Sequence, residues 1–330
     1  MNRLFRSSTI GFTCIILLGL SFFFFAQAAS ETHSLVLSSS LLQLNTIFLS
    51  ILIEAMPFVL IGVLLAGIIQ IFVTEEHITR WMPKNKVAVI LMSCVVGALF
   101  PACECGIVPI IRRLVSKGVP IYAGIGFMLT GPLINPIVIT STYMAFGNDF
   151  RIAGLRMGVG FLIALLVTFF ISMSFSGTQF RQHNIVTATI QDKTPLSQKF
   201  KNMLHHSIDE FFDMGKFLIL GAFIAASVQT FLPAKALVDI ATSTASSTLI
   251  MMGLAYVLSL CSEADAFIGS SFSHLFGTTS ILGFLIFGPM MDLKNTIMML
   301  SVFRARFVMT VLVFIVLTIF TTLMFLHPYL

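Results

Sequence analysis

The sequence predicts an all-α polytopic membrane protein built from two homologous repeats, inverted relative to each other, with re-entrant or broken helices. Three observations lead there: an apolar composition, a self-match between the halves, and the placement of basic residues. Of 330 residues, 57% are apolar and 10% charged, with a mean hydropathy of +0.99. A soluble domain carries about 45–50% apolar and about 25% charged residues. This balance excludes a soluble globular enzyme, a disordered chain and a nucleic-acid binder, and makes the lipid bilayer the surroundings. The net charge of +5 fits Lys and Arg retained in loops on the inner side of a membrane. Five Cys, an odd number lying mostly in apolar segments, do not form a secreted disulfide framework.

Residues 1–40 open with Met-Asn-Arg-Leu-Phe-Arg and an apolar run from Ile10 to Ala29 that ends on Ala26-Gln27-Ala28. A basic start, an apolar stretch and small residues fit a signal peptide, while the length also suits an N-terminal transmembrane anchor. Eight long apolar segments follow, near 45–73, 87–111, 121–146, 152–175, 211–232, 247–270, 279–301 and 303–326. The polar stretch 177–206 reads as a cytoplasmic linker between a first repeat, 41–176, and a second, 207–330.

The halves share a pattern. Glu54, Phe58, Gly62, Ala66, Gln70 and Phe72 recur as Asp213, Phe217, Gly221, Ala225, Gln229 and Phe231, an offset of 213 − 54 = 159. At the same offset Glu104, in Ala-Cys-Glu-Cys-Gly, meets Glu263, in Cys-Ser-Glu-Ala-Asp. At 157, Phe127, Gly131, Pro132 and Asn135 meet Phe284, Gly288, Pro289 and Asp292. Three ordered matches imply an internal duplication, and membrane repeats of this kind build transporters with the site at the repeat interface.

Charge placement chooses the topology. If every apolar segment crosses, Arg112, Arg113, Lys117 and the linker fall outside. If 87–111 and 247–270 each enter and leave on one side, Arg3, Arg6, Arg80, Lys84, Lys86, Arg112, Arg113, Lys117, Arg181, Lys193, Lys199, Lys201, Arg304 and Arg306 lie inside, and only Arg151, Arg156 and Lys235 outside. The second arrangement obeys the positive-inside bias. It leaves three crossings per half, an odd number, so the halves are inverted. Breaks at Phe100-Pro101-Ala102-Cys103 and Leu260-Cys261-Ser262-Glu263 suit such hairpins, since irregular backbone at that depth needs protein or a wet cavity to satisfy it.

Glu104 and Glu263 sit deep in apolar runs, where an ionised carboxylate costs several kcal/mol unless paired, hydrated or protonated. Meeting near the pseudo-twofold, they would bind a cation or exchange a proton with it; simple solvation at an interface is the bland alternative. Asp265 follows two residues on and converges only if the backbone there is irregular. Cys103 and Cys105 flank Glu104, and thiolates select soft ions such as copper(I), zinc or trivalent arsenic. Pro101 and Gly106 bracket a turn that would let both sulfurs reach one ion, and Cys261 offers a third. The metal-ligand candidates are therefore Cys103, Cys105, Glu104 and Glu263. Cys14 and Cys94 read as small hydrophobes. Gly131-Pro132, Pro136 and Gly288-Pro289 interrupt helical spans, because proline lacks a backbone donor and clashes with the preceding turn; the freed ends would line a path. Asn135 and Asp292 hold matched polar positions beyond the breaks, with Lys294 nearby. No phosphate-binding loop occurs, and no cofactor is expected.

The runs Pro101-Ala-Cys-Glu-Cys-Gly-Ile-Val-Pro109-Ile-Ile-Arg112-Arg113 and Gly131-Pro-Leu-Ile-Asn135-Pro136-Ile-Val-Ile-Thr-Ser-Thr-Tyr143 resemble the predicted permease family that includes the ArsP-type organoarsenical efflux permeases. Cys261-Ser-Glu-Ala-Asp-Ala-Phe267 and Phe287-Gly-Pro-Met-Met-Asp-Leu-Lys-Asn295 agree with it. The resemblance spans nearly all of the chain after about residue 45. It implies a multi-pass permease of the bacterial inner membrane. For the arsenical branch it implies export of trivalent organoarsenicals with the first motif's cysteines as ligands.

The expectation is thus a secondary transporter, not an enzyme, exporting a soft thiophilic species: a trivalent organoarsenical or a metal cation. Cys103, Glu104, Cys105, Asn135, Cys261, Glu263, Asp265 and Asp292 form the candidate substrate site. Two alternatives stand beside it. One is a membrane thiol oxidoreductase cycling Cys103 and Cys105. The other is a non-catalytic membrane subunit of a larger complex. An accessory protein and a homo-oligomer are open, and no nucleic-acid partner is expected.

Overall fold

Four of the apolar runs break into pairs of helices, and those breaks set the architecture. A computed structural model describes residues 36–72, 78, 82–100, 103–175, 177, 179–181, 196–231 and 243–329. Residues 1–35, most of the expected signal peptide or anchor, and Pro101 lie outside the described residues. Helix α1 is Val36–Phe72 and α2 is Lys86–Leu99; α3 is Glu104–Ser116, α4 Ile121–Thr130, α5 Pro136–Ala145 and α6 Phe150–Ser174. The second half has α7 at Leu196–Phe231, α8 at Thr244–Leu258, α9 at Ser262–Ser271, α10 at Thr278–Met290, α11 at Leu293–Val302 and α12 at Ala305–Leu326. The last part of the polar 177–206 stretch is therefore helical, as the opening of α7.

Each break has a local cause. Asn135 is extended (ψ 139°) ahead of Pro136, which takes the first position of α5, a place where its missing donor is harmless. Ser259 closes α8 in a left-handed conformation (φ 48°). Gly288 and Pro289, expected at a break, instead form the last turn of α10, and the chain leaves the helix at Met291. The new helix starts where the Asp292 side chain accepts a hydrogen bond from the Asn295 backbone N–H at 2.6 Å. Gly106, also expected at a break, lies within the first turn of α3. A Cβ on Gly62 would come within 2.6 Å of Gly106 Cα, so these two glycines let α1 and α3 cross backbone to backbone.

Among the described residues, five stretches are long and apolar enough to cross a membrane: Ser40–Phe72, Phe150–Ser174, Met203–Phe231, Thr278–Val302 and Ala305–Tyr329. The chain is accordingly a multi-pass, all-helical membrane protein. The broken α10–α11 stretch is the central pillar, with 89% of its most apolar part buried inside the protein against 33% to 44% for the other four. Helices α1 and α7 pack antiparallel. Phe48 meets Phe223 at one end, with ring centroids 6.0 Å apart. Gly67 abuts Met203 and Ser207 at the other. The remaining helices pair in a matching way: α2 lies on α4 and α8 on α10, α3 on α11 and α9 on α5, and α6 on α12.

Lys117, just beyond α3, donates to the Gln70 carbonyl at 2.6 Å, which puts the end of α3 beside the end of α1. Lys86 at the start of α2 lines the same hollow as Gly118 and Pro120. After α6 the chain pairs briefly with the α11–α12 junction through Arg181 N–H to the Val302 carbonyl and Arg304 N–H to the Gln179 carbonyl, both 3.0 Å.

The α1–α3 crossing predicts that Gly62→Leu destabilises the detergent-solubilised protein by about 1–3 kcal/mol or more through overpacking, read as a lower unfolding temperature. Gly253, where a Cβ would meet nothing within 4 Å, is the control: Gly253→Ala leaves that temperature unchanged or raises it.

Candidate functional site

All four breaks deliver helix N-termini to one region. Cys103 caps α3, Asn135 caps α5, Cys261 caps α9 and Asp292 caps α11. A helix start leaves backbone N–H groups without intrahelical acceptors and carries about half a positive charge. Three of these ends are capped from their own side chains. Asn135 Oδ1 accepts from the Ile137 N–H at 3.0 Å, the Cys261 sulfur from Ala264 N–H at 3.4 Å, and Asp292 from Asn295. Cys103 makes no such bond.

Between these ends lies a cavity of about 90 Å³, lined by Cys103, Glu104, Cys105, Pro132, Asn135, Cys261, Ser262, Glu263 and Lys294, together with Glu54 and Phe58 of α1. That is far below the roughly 300–1,000 Å³ of a drug-sized ligand site, so it suits an ion or a very small molecule. Glu104 and Glu263, from the two halves, thus face one space. Cys103 and Cys105 are within hydrogen-bonding reach of each other, and Cys261 lies within reach of Glu54. Cys94, Cys103, Cys105 and Cys261 are all free thiols. Among the described residues, no three His, Cys, Asp or Glu side chains stand close enough together to hold a metal ion.

Under the cavity one ammonium sits between two carboxylates. Lys294 Nζ lies 3.1 Å from Glu104 Oε1 and 3.2 Å from Asp292 Oδ2. It also donates to the Ser259 carbonyl at 2.8 Å and the Leu260 carbonyl at 3.3 Å. All three charged side chains are buried, so their attraction is screened far less than at a surface, and each would be strongly destabilising alone. The left-handed turn at Ser259 aims its carbonyl at Lys294, and the Ser259 hydroxyl accepts from the Leu293 N–H at 3.2 Å.

A second buried charge sits behind α9. Arg156 is 1% exposed; it donates to Thr142 Oγ1 at 2.6 Å and to the Ser262 carbonyl at 3.0 Å. Asp265 lies within its electrostatic reach. Asp265 does not line the cavity; it packs against Gly288, where an added Cβ would meet its Oδ2 at 2.6 Å. Neither Asp265 oxygen has a hydrogen-bond partner, nor do the amide atoms of Asn295.

Of the expected site residues, Cys103, Glu104, Cys105, Asn135, Cys261, Glu263 and Pro132 are on the cavity wall. Asp292 stands one layer behind, holding Lys294. Gly131 and Pro136 lie at the α4–α5 break that supplies Asn135. Arg156, expected from charge placement in an outer loop, is instead inside the protein. Its position, six residues into a 25-residue apolar helix, is the sequence signal that points there. Lys294 is read from the sequence as a partner for Asp292 or Glu263; it does pair with Asp292, and only the packing brings it to Glu104 and Glu54 to the thiols.

Residues 40–327 match the predicted permease family ArsP_1. A Bacillus subtilis (strain 168) protein named UPF0718 protein YcgR is 52% identical over 278 residues, 84% of this chain and 95% of its own length. A Streptococcus mutans serotype c protein named "Putative two-component membrane permease complex subunit" is 43% identical over 282 residues, 83% of this chain and 91% of its own length. No solved structure matches.

Removing one member of a buried ion pair strands the others. Lys294→Met is therefore expected to destabilise by about 3–5 kcal/mol. Glu104→Gln, which leaves the Lys294–Asp292 pair, costs less. A combined Lys294→Met, Glu104→Gln, Asp292→Asn variant recovers part of the loss. Thermal unfolding in detergent ranks the three.

Proposed function

This chain belongs to the predicted permease family, and on that premise we propose that it is a secondary transporter of the bacterial inner membrane that exports a soft thiophilic species. The cargo is a trivalent organoarsenical or a metal cation. The observation that carries this reading is the cavity to which both halves bring an acid-bearing helix start. Cys103 and Cys105 from one half stand there opposite Cys261 and Glu263 from the other.

The chemistry is simple. A trivalent arsenical carrying two hydroxyls exchanges them for two sulfurs; each thiol proton leaves with a hydroxyl as water, and no electrons move. Thiolate sulfur gives such a cargo its selectivity over hard ions. Glu104 and Glu263 balance charge or take up a coupled proton, and Asn135 orients the cargo from the α5 end. A metal cation would take the same sulfurs and a carboxylate only after these groups draw closer than they stand here, where no three of them meet among the described residues.

The duplicated, inverted architecture belongs to the same proposal. It is supported by the antiparallel packing of the matched helices α1 and α7, and by the crossed pairing of α3 with α11 and α9 with α5. A re-entrant α2–α3 hairpin is supported by Lys86 and Gly118, which share one hollow although they bracket both helices. The Streptococcus relative is named as one subunit of a two-component complex, and we extend that to this chain: a second protein component works with it.

Cells lacking other thiophile exporters test the reading. Expression of the wild-type chain is expected to protect against trivalent methylarsenite or zinc, and the Cys103→Ser, Cys105→Ser double variant to lose that protection. Protection equal to wild type from the double variant would falsify the thiolate role. For the topology, Arg113→Cys is expected to react with impermeant thiol reagents from the cytoplasmic face only.

A further inference from the structure

The matched helices α1 and α7 are not in matched surroundings. Helix α7 is shut against the second broken span. A side chain on Gly221 would meet the Lys294 backbone at 3.1 Å, and Ser301 Oγ lies 3.7 Å from Met214 Sδ. The same helix is clamped to the end of α3: Glu210, 4% exposed, accepts from Arg112 at 3.2 Å and from Arg113 at 2.5 Å. Among the described residues, helix α1 crosses α3 at Gly62 but has no such closure on α4 and α5. The cavity lies between them, with Ile51, Glu54 and Phe58 on one wall and Asn135 and Ile137 on the other. Phe58 and Ile137 are 44% and 59% exposed.

The direction of the opening follows from the chain. Lys117 ties the end of α3 to the end of α1 at Gln70, so the Arg112–Arg113 end of the molecule is the C-terminal end of α1. The cavity runs the other way, from Phe58 back to Ile51 and from Asn135 forward along α5. The cavity wall beside α1 is exposed at Phe58 and Ile137, and the opposite side is closed by α7, α11 and the arginine clamp.

We propose that α1 and α7 are the two gates of an alternating-access cycle, and that the Arg112–Arg113–Glu210 cluster is the lock on the inner gate. In the opposite state the surroundings exchange. The lock opens, α7 withdraws from α11, α1 closes on α5, and Asp213 takes at the cargo the place that Glu54 holds here. In this structure Asp213 is exposed and pairs with Lys216 at 2.8 Å, away from the cavity. The inference rests on the transporter reading, but it concerns the conformational equilibrium and can be read without cargo.

The test uses the full chain in native membrane vesicles of both orientations, with its five native cysteines replaced and one probe position added. Phe58→Cys reports the outer access and Met214→Cys the inner one, each through its rate of labelling by an impermeant thiol reagent. Glu210→Gln is expected to raise the Met214→Cys rate and lower the Phe58→Cys rate, each by about fivefold or more, as a population shift requires. The charge-reversed pair Glu210→Arg with Arg113→Glu is expected to bring both rates back toward the starting values. Unchanged rates, or both rates rising together, overturn the gate. In the chain with native cysteines, Asp213→Asn is expected to reduce cargo efflux; efflux equal to wild type removes Asp213 from the proposal. A wild-type chain that gives cells no protection against thiophiles sinks the cargo reading and leaves the labelling result intact.

Discussion

The buried ammonium of Lys294 is the interaction on which the site depends. It touches Glu104 from the first half and Asp292 and the Ser259 carbonyl from the second. None of these charges is tolerated alone when buried; the one ammonium holds both carboxylates, while Glu104 Oε2 is left without a hydrogen-bond partner. The consequence is mutual dependence: the α3 start, the α8 end and the α11 start hold their relative positions because a displaced member leaves a naked charge. Arg156 plays the corresponding part on the other side, tying α6 to α5 through Thr142 and to α9 through the Ser262 carbonyl.

Interrupted helices make this possible. A continuous helix carries its polar ends to the membrane surface. A broken one brings them to mid-depth, where their unpaired N–H groups need acceptors. Here the four interior starts meet, and the residues that satisfy them, Asn135, Cys261 and Asp292, are the ones the chain places at each first position. Two of these capping residues, Asn135 and Cys261, are also on the cavity wall.

Much of this was legible in the residues, because breaks and buried acids are local signals. Proline after Asn135, the Cys-Glu-Cys run and the Ser-Glu-Ala-Asp run each mark a place where an apolar helix cannot simply continue. What was not legible depends on packing between distant segments. A charge tally counts Arg156 as a loop cation although it sits in an apolar run, and its partners Thr142 and Ser262 are 14 and 106 residues away. Gly106 has the composition of a turn, and only its contact with Gly62 shows it to be a helical close approach. Gly288-Pro289 misplaced the break: α10 runs on through the proline to Met290, and Asp292 then supplies the new start.

The convergence of four helix starts has a bearing on what the cavity refuses. Each end contributes partial positive charge, and two of the nearby carboxylates are already paired with Lys294. Glu54 and Glu263 line the same wall, so the charge there is mixed and charge alone does not choose a cargo. A species that bonds to sulfur does not depend on that field. On the transport reading proposed above, it is sulfur and not charge that tells the cargo from the abundant alkali ions.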